Sequence, residues 1–171
     1  MNMPAPVRLP VGVVVERRRA ASPWVEHVWS AVAVLAGVPE ARPWTEISSG
    51  PEAMRFFAGA ASVELHRAEA AFYRENLATG SPALWVVLRP TGSDPPFEVK
   101  AVTADPAEGE AYTEPGTDLV EQVAMPELIR AAIAEFVAEH PVEHSFTKRQ
   151  RDRADPEALG RRVPARKGSG S

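Results

Sequence analysis

Two runs of this chain are apolar on both faces of an extended backbone, namely residues 28–35 (VWSAVAVL) and 84–88 (LWVVL). A strand of this kind needs a cover on each side, so it lies at the centre of a sheet or in a small barrel backed by a helix. A third run, residues 11–15 (VGVVV), is rich in β-branched valine and is followed by charged residues. We therefore expect a β-sheet that is covered on both faces.

Weaker strand candidates occupy residues 44–47, 54–57, 63–65, 97–102 and 119–123, with clusters of turn-forming glycine, proline and serine along the same region. The 17 prolines are scattered along the chain, which favours many short elements over a bundle of long helices. The middle of the chain is therefore predicted to be short strands joined by turns.

Two segments have the apolar spacing of a helix. In residues 126–139 the apolar side chains form one stripe, Pro126 suits the first helical position, and Pro141 ends the helix. Residues 67–77 are a weaker and shorter candidate. The order of many strands, one short inserted helix and a C-terminal helix predicts an α+β fold, mainly antiparallel β, built as a small barrel or a strongly twisted sheet.

Charge is divided unevenly along the chain. Residues 148–171 hold 8 of the 19 lysines and arginines but only 3 of the 23 acidic residues, so an acidic body carries a basic end. Within that end, Asp155-Pro156-Glu157 is typical of a helix start. We predict a flexible N-terminus (1–9), a single globular α+β domain (10–146), a basic docking segment with a short helix (147–162) and a disordered tail (163–171).

The chain has no cysteine, which excludes disulfides, thiolate metal sites and cysteine nucleophiles on it. The first apolar run is only five residues long and precedes three arginines, whereas a signal peptide has the opposite order and a longer apolar region. No run approaches the length of a membrane span. A cytoplasmic protein with no membrane contact is expected.

Metal and catalytic sites are not expected. His140 and His144 have the spacing of a helical zinc pair, but the intervening Pro141 breaks the helix that would align them. His66 lacks a serine or cysteine nucleophile motif and is interpreted as a polar residue where a strand meets a helix. The acidic residues of one Pro/Gly-containing segment lack the spacing of a calcium loop and are interpreted as a solvated loop: Asp105, Glu108, Glu110, Glu114 and Asp118. No cofactor is predicted.

The arginines that follow the first strand are candidates for anion or partner binding. They lack the glycines of a phosphate-binding loop, so any contact would be made by side chains. An exposed charged strand end is the plainer interpretation. The residues assigned to anion or partner binding are Arg17, Arg18, Lys148, Arg149, Arg151 and Arg153.

Tryptophan offers a further test of nucleic-acid binding. Trp24, Trp29, Trp44 and Trp85 lie in or beside predicted strands, and Trp29 and Trp85 fall in the runs that are apolar on both faces. A stacking platform for bases would place aromatic side chains on one exposed face among basic residues. Core packing is therefore the expectation for the tryptophans.

Several collinear strings resemble one uncharacterised bacterial family, domain of unknown function family 3305. They run from PVGVVVE to the basic segment and occupy residues 10–16, 24–34, 73–77 (YRENL), 83–90 (ALWVVLRP), 101–110 (AVTADPAEGE) and 146–162. Genes of the family lie near those of molybdenum-dependent formate dehydrogenase and its maturation factors. Some members are labelled molybdopterin-guanine dinucleotide biosynthesis protein A.

That label does not fit the residues of this chain. A molybdenum-cofactor guanylyltransferase resembles other nucleotidyltransferases in having a glycine-rich N-terminal loop with a following lysine, and nothing after Val15 has this pattern. The persulfide-carrying sulfurtransferase of the same pathway needs a cysteine, which is absent. The resemblance implies a role near formate dehydrogenase assembly and supplies no catalytic residues.

The expected function is therefore that of a non-enzymatic accessory protein in assembly or maturation of a molybdenum-dependent formate dehydrogenase. Its partner would be a subunit of that enzyme or one of its maturation factors. One alternative is binding or transfer of molybdopterin or a guanine nucleotide. A second is RNA binding through the basic tail, which the acidic body opposes.

Overall fold

The computed structural model describes residues 5–114 and 116–141, and these form seven strands and three α-helices. The strands are β1 (Val7–Arg19), β2 (His27–Ala36), β3 (Thr45–Ser49), β4 (Ala53–Leu65), β5 (Ala83–Pro90), β6 (Phe97–Thr103) and β7 (Leu119–Ala124). The helices are α1 (Ala70–Ala78), α2 (Pro106–Ala111) and α3 (Glu127–Glu139), and a 3-10 helix (Arg67–Glu69) precedes α1. The expected α+β class is confirmed.

The described strands form two antiparallel sheets. The first has the order β2-β1-β4-β3 and the second has the order β6-β5-β7. No ladder joins the two sheets within the described residues, so the small-barrel alternative is not confirmed. Of the runs that are apolar on both faces, residues 84–88 lie in a central strand as expected. Residues 28–35 lie in β2, an edge strand, so their predicted central position is wrong.

The core contains alternate side chains of β1 and β5, each of which is a central strand of its sheet. Val11, Val13 and Val15 of β1 are completely buried, and Leu84, Val86 and Leu88 of β5 belong to the same apolar cluster. The cluster also takes in the inner faces of α1 and α3, including Tyr73, Ile129, Ile133 and Phe136. Burial of this apolar surface is the main favourable term in folding the domain.

Two β-bulges flank the buried centre of β1. Along β2, Val32 has no partner on β1, since Val14 pairs with Ala33 and Val15 pairs with Ala31. Along β4, Ala58 is the unpaired residue, and Val13 pairs with Gly59. An extra residue reverses the side-chain alternation of the strand beyond it. The segments predicted at 54–57 and 63–65 are the two halves of this one bulged strand.

The face of the first sheet that points away from the apolar cluster is covered at Gly12. A Cβ atom at Gly12 would lie 3.0 Å from Pro39 Cδ and 3.1 Å from Phe57 Cε1. The loop after β2 therefore lies directly on β1, and a side chain at Gly12 would require Pro39 and Phe57 to shift. Phe57 and Val14 are buried at the same place.

Helix α1 is joined to the strands by two buried polar side chains. The Tyr73 hydroxyl accepts the His66 backbone N–H at 2.9 Å and donates to the Glu64 carbonyl at 3.3 Å. The Asn76 amide donates to the carbonyls of Ala83 and Ala104, at 2.8 and 2.9 Å. Its oxygen accepts the Ala83 N–H at 3.0 Å. These bonds tie α1 to the ends of β4 and β6 and to the start of β5.

Helix α2 corrects the prediction of a solvated acidic loop. Asp105 Oδ1 accepts the Ala107 N–H at 2.9 Å, and Pro106 occupies the first turn, so the helix has a standard N-terminal cap. Gly109 of this helix lies against Trp85, whose Cγ would clash with a Cβ atom at that position. The acidic segment thus contains a short helix that packs on β5.

Some predicted boundaries differ from the structure or lie beyond it. Strand β1 begins at Val7, inside the segment 1–9 that was predicted to be flexible. The basic docking segment 147–162 and the tail 163–171 lie outside the described residues. Among the described helices, none has the length and apolar character required to cross a membrane.

We expect Asn76→Ala to lower the free energy of unfolding by roughly 2–4 kcal/mol, because one buried and two partly buried backbone groups lose their hydrogen-bond partner. Urea denaturation measures this change. The neighbouring exposed residue provides a matched control, since Glu75→Ala should change stability by no more than about 0.5 kcal/mol. Equal effects of the two substitutions would contradict the structural role given to Asn76.

Burial raises the pKa of Tyr73 to about 12. The unfolded chain releases this proton near pH 10, whereas the folded chain holds it to higher pH, so the contribution of Tyr73 is complete below pH 10 and is lost as pH rises toward 12. Tyr73→Phe should be less stable than the wild type at pH 8, and the difference should shrink above pH 10. Chemical denaturation at a series of pH values measures it, and a constant difference would refute the assignment.

Candidate partner and anion site

The three arginines that end β1 lie at one end of the first sheet and alternate between its faces. Arg17 and Arg19 continue the inward face of the buried valines, whereas Arg18 lies on the opposite face. Arg17 pairs in register with Trp29 on β2 and Met54 on β4. Residues that are adjacent in sequence therefore have different surroundings.

Arg18 is part of an ion-pair network around a buried carboxylate. Glu16 is only 6% exposed, and Arg18 Nη2 lies 3.2 Å from its Oε1. Arg55, directly opposite Glu16 on β4, places its Nε 3.1 Å from Oε2. Because a buried carboxylate requires such partners, Arg18 and Arg55 serve the fold here.

Arg17 is placed over aromatic rings instead. Its Cζ lies 5.8 Å from the centroid of the Trp29 ring and 5.6 Å from that of Phe56. Its Nη2 donates to the Met54 sulfur at 3.5 Å, which is a weak acceptor. Within the described part of the chain, Arg17 forms no salt bridge. Arg17 is partly buried, and its guanidinium makes cation–π contacts with both rings.

An aromatic cluster supports this arrangement at the end of the core. Trp29 contacts Trp44, Phe56 and Phe97, with ring centroids 5.9, 6.1 and 6.3 Å apart. Phe97 comes from β6, so the cluster joins the two sheets. The expectation that Trp29 packs in the interior is thus supported, although it is only partly buried.

A pocket of about 160 Å³ lies beside Arg17. Its walls include the cationic side chains Arg17 and Arg19, the imidazole of His27, and the turn between β3 and β4, which contributes Gly50 and Glu52. Arg19 and His27 are cross-strand partners, and the Arg19 N–H donates to the Glu52 carbonyl at 2.9 Å. The pocket therefore brings together two arginines, one histidine and one carboxylate.

The loop between β1 and β2 presents an exposed tryptophan. Trp24 is 91% exposed, so its predicted core position is wrong. Val25 and Val28 on the same hairpin are each about half exposed. Sequence analysis missed this surface because Trp24 was assigned with the strand tryptophans, although Ser22-Pro23 before it is a turn signal. The Ser22 hydroxyl accepts the Trp24 N–H at 3.1 Å within that turn.

The histidines considered as metal ligands or as a catalytic base lie at the ends of secondary-structure elements or outside the described residues. His66 joins β4 to the 3-10 helix, as interpreted from the sequence, and its Nε2 lies 3.3 Å from Glu64 Oε1. His140 ends α3 with its ring 4.4 Å from that of Phe136. His144 lies outside the described residues. Across residues 5–114 and 116–141, no three potential ligands are grouped to hold a metal ion.

The acidic residues around α2 are also engaged. Glu108 accepts the Thr103 hydroxyl at 2.6 Å, beside the Asp105 cap. Asp118 accepts two hydrogen bonds from Arg89, at 3.0 and 2.9 Å, and this pairing lowers the pKa of Asp118 and raises that of Arg89. These contacts account for three of the five acidic residues of the segment, namely Asp105, Glu108 and Asp118.

Comparison with protein families matches residues 10–150 to a protein of unknown function (DUF3305). The chain belongs to the DUF3305 family. No curated protein and no solved structure matches it. The candidate binding residues Lys148 and Arg149 fall within the DUF3305 match, and Arg151 and Arg153 follow it. All four lie outside the described residues.

The strings on which the DUF3305 resemblance rests have clear structural roles. The string at 73–77 contains the buried Tyr73 and Asn76. The string at 101–110 contains the Asp105 cap and Gly109, and the string at 10–16 contains Gly12 and the paired Glu16. The residues named in these three strings therefore contribute to folding.

We expect Glu16→Gln to lower the free energy of unfolding by roughly 1–3 kcal/mol, because Arg18 and Arg55 lose their shared buried carboxylate. Thermal denaturation measures the change. Glu46→Gln, at an exposed position on β3, is the matched control and should be nearly neutral. A neutral Glu16→Gln would show that the network contributes nothing to the fold.

Proposed function

We propose that the chain is a non-enzymatic accessory protein that binds a protein partner during assembly or maturation of a molybdenum-dependent formate dehydrogenase. The observation that carries partner binding is the exposed hairpin tip of Trp24, Val25 and Val28. The resemblance to a family whose genes lie near formate dehydrogenase genes supports the choice of pathway. The partner is a subunit of that enzyme or one of its maturation factors.

The hairpin tip has the composition of a protein-binding surface. Tryptophan and arginine are the residues most enriched at the energetic centres of protein interfaces. Here Trp24 projects from the loop, and Val25 and Val28 beside it on the hairpin are each about half exposed. A tryptophan left 91% exposed gains nothing from the fold, so its apolar surface is available to a partner.

The carboxylates that are held in ion pairs support binding over catalysis. The Glu16 carboxylate is held by Arg18 and Arg55, and the Asp118 carboxylate by Arg89. Each of these groups is occupied in stabilising the sheets, where a catalytic acid or base would need access to a substrate.

Affinity purification of the tagged chain from its native host tests the proposal. The wild type should recover formate dehydrogenase subunits or their maturation factors, and Trp24→Ala should weaken recovery by about 30-fold in affinity if the tryptophan is an interface hot spot. Val38→Ala is the matched control, because Val38 is also about half exposed but lies in the loop that follows β2. Normal formate dehydrogenase activity in a strain lacking the gene would overturn the assigned pathway.

A further inference from the structure

We infer that the pocket beside Arg17 is a binding site for a phosphate group, with Arg17 as its principal ligand and Arg19 and His27 on its walls. This site is distinct from the exposed hairpin tip and does not rest on the proposed partner binding. Four properties carry the inference: the position of Arg17, its unused donors, the balance of charge and the size of the pocket.

The position of Arg17 is unusual for its strand. It follows Val11, Val13 and Val15 on the inward face, where the alternation calls for another apolar side chain. The Arg17 guanidinium carbon lies 5.8 Å from the centroid of the Trp29 ring and 5.6 Å from that of Phe56. These cation–π contacts use the charge of the guanidinium and leave its N–H donors to contact a ligand.

The donors of Arg17 are largely unused. A guanidinium has five N–H donors, and the Met54 sulfur is a weak acceptor for one of them. No carboxylate pairs with Arg17 among residues 5–114 and 116–141. The neighbouring Arg18, by contrast, already has its carboxylate. An oxyanion bound at two oxygens would satisfy the free edge of Arg17 with charge-assisted hydrogen bonds.

The charge of the pocket favours an anion. Arg17 and Arg19 contribute two permanent positive charges, and the Glu52 carboxylate opposes one of them. His27 adds a further positive charge when it is protonated, and the Glu26 carboxylate lies 3.9 Å from its Nδ1. Two converging arginines match the multiple charged oxygens of a phosphate better than the single charge of a carboxylate.

The size of the pocket indicates how much of a ligand it takes. Its volume of about 160 Å³ is below the roughly 300–1,000 Å³ typical of sites that enclose a whole drug-sized molecule. The pocket therefore receives the phosphate group itself. Any remaining part of a phosphorylated ligand would lie outside it.

Titration with inorganic phosphate, followed by NMR of the backbone amides and arginine side chains, tests the inference. Phosphate should shift the signals of Arg17, Arg19 and Met54 with one saturable curve, and acetate at the same ionic strength should bind more weakly. A parallel titration with GTP distinguishes a nucleotide ligand from inorganic phosphate. Tighter binding of GTP identifies a nucleotide phosphate, and equal binding identifies the phosphate group alone. Either result supports the site.

Substitutions make the test specific. Arg17→Lys keeps the charge but loses the stacked planar donors, so it should weaken phosphate binding by about tenfold. Arg19→Met, at an exposed position, should also weaken binding without disturbing the aromatic cluster. Arg18→Lys is the matched control on the opposite face and should leave the affinity within about twofold.

Three results would overturn the inference: no saturable shift at phosphate concentrations up to about 10 mM, equal binding of acetate and phosphate, or equal losses in Arg17→Lys and Arg18→Lys. Trp24→Ala should retain phosphate binding. Failure of the phosphate site can therefore be distinguished from failure of the proposed partner binding.

Discussion

The burial of Val11, Val13 and Val15 of β1 is the constraint on which the rest of the structure depends. These side chains are completely buried, and β1 pairs along nearly its whole length with β4 and from Val11 to its end with β2. Fixing the inward face of β1 also fixes the direction of the residues that follow. Arg17 reaches the aromatic cluster, and Arg18 reaches Glu16, because the alternation set by the valines continues to the end of the strand.

The helices are joined to the sheets by a different kind of contact. Tyr73 and Asn76 contribute directional hydrogen bonds inside an otherwise apolar region. Apolar contacts tolerate small rotations of a helix, whereas buried hydrogen bonds lose their partners when the helix turns. The two side chains therefore define how α1 lies against the ends of the strands.

Sequence patterns located most strands and the C-terminal helix because valine-rich runs and apolar stripes are local signals. The Asp-Pro helix start was applied to Asp155-Pro156 but not to Asp105-Pro106, so α2 was predicted as a loop despite an available signal. The edge position of β2 depends on strand order, which no local pattern records. The pairing of Glu16 with Arg55 joins residues 39 apart in sequence and depends on register in the same way.

The functional residues show the same limit. Arg17 and Arg18 are chemically identical and adjacent, so sequence analysis could only treat them as one charged strand end. The structure places Arg18 with a carboxylate and Arg17 over aromatic rings, a difference that arises from the face each residue occupies. Trp24 differs, because Ser22-Pro23 before it is a local turn signal that separates it from the strand tryptophans.

The bulges at Val32 and Ala58 shift the alternation of side chains by one residue. Each extra residue exchanges the inward and outward sets on one side of the bulge. That exchange brings Trp29 and Phe56 to the same face as Arg17, while Val34 and Val63, beyond the bulges, remain in the core. Loss of a single bulge residue would keep the composition of the strand almost unchanged, yet it would turn the aromatic ring away from Arg17 or the apolar side chains away from the core. The exact number of residues in these strands therefore determines which side chains surround Arg17.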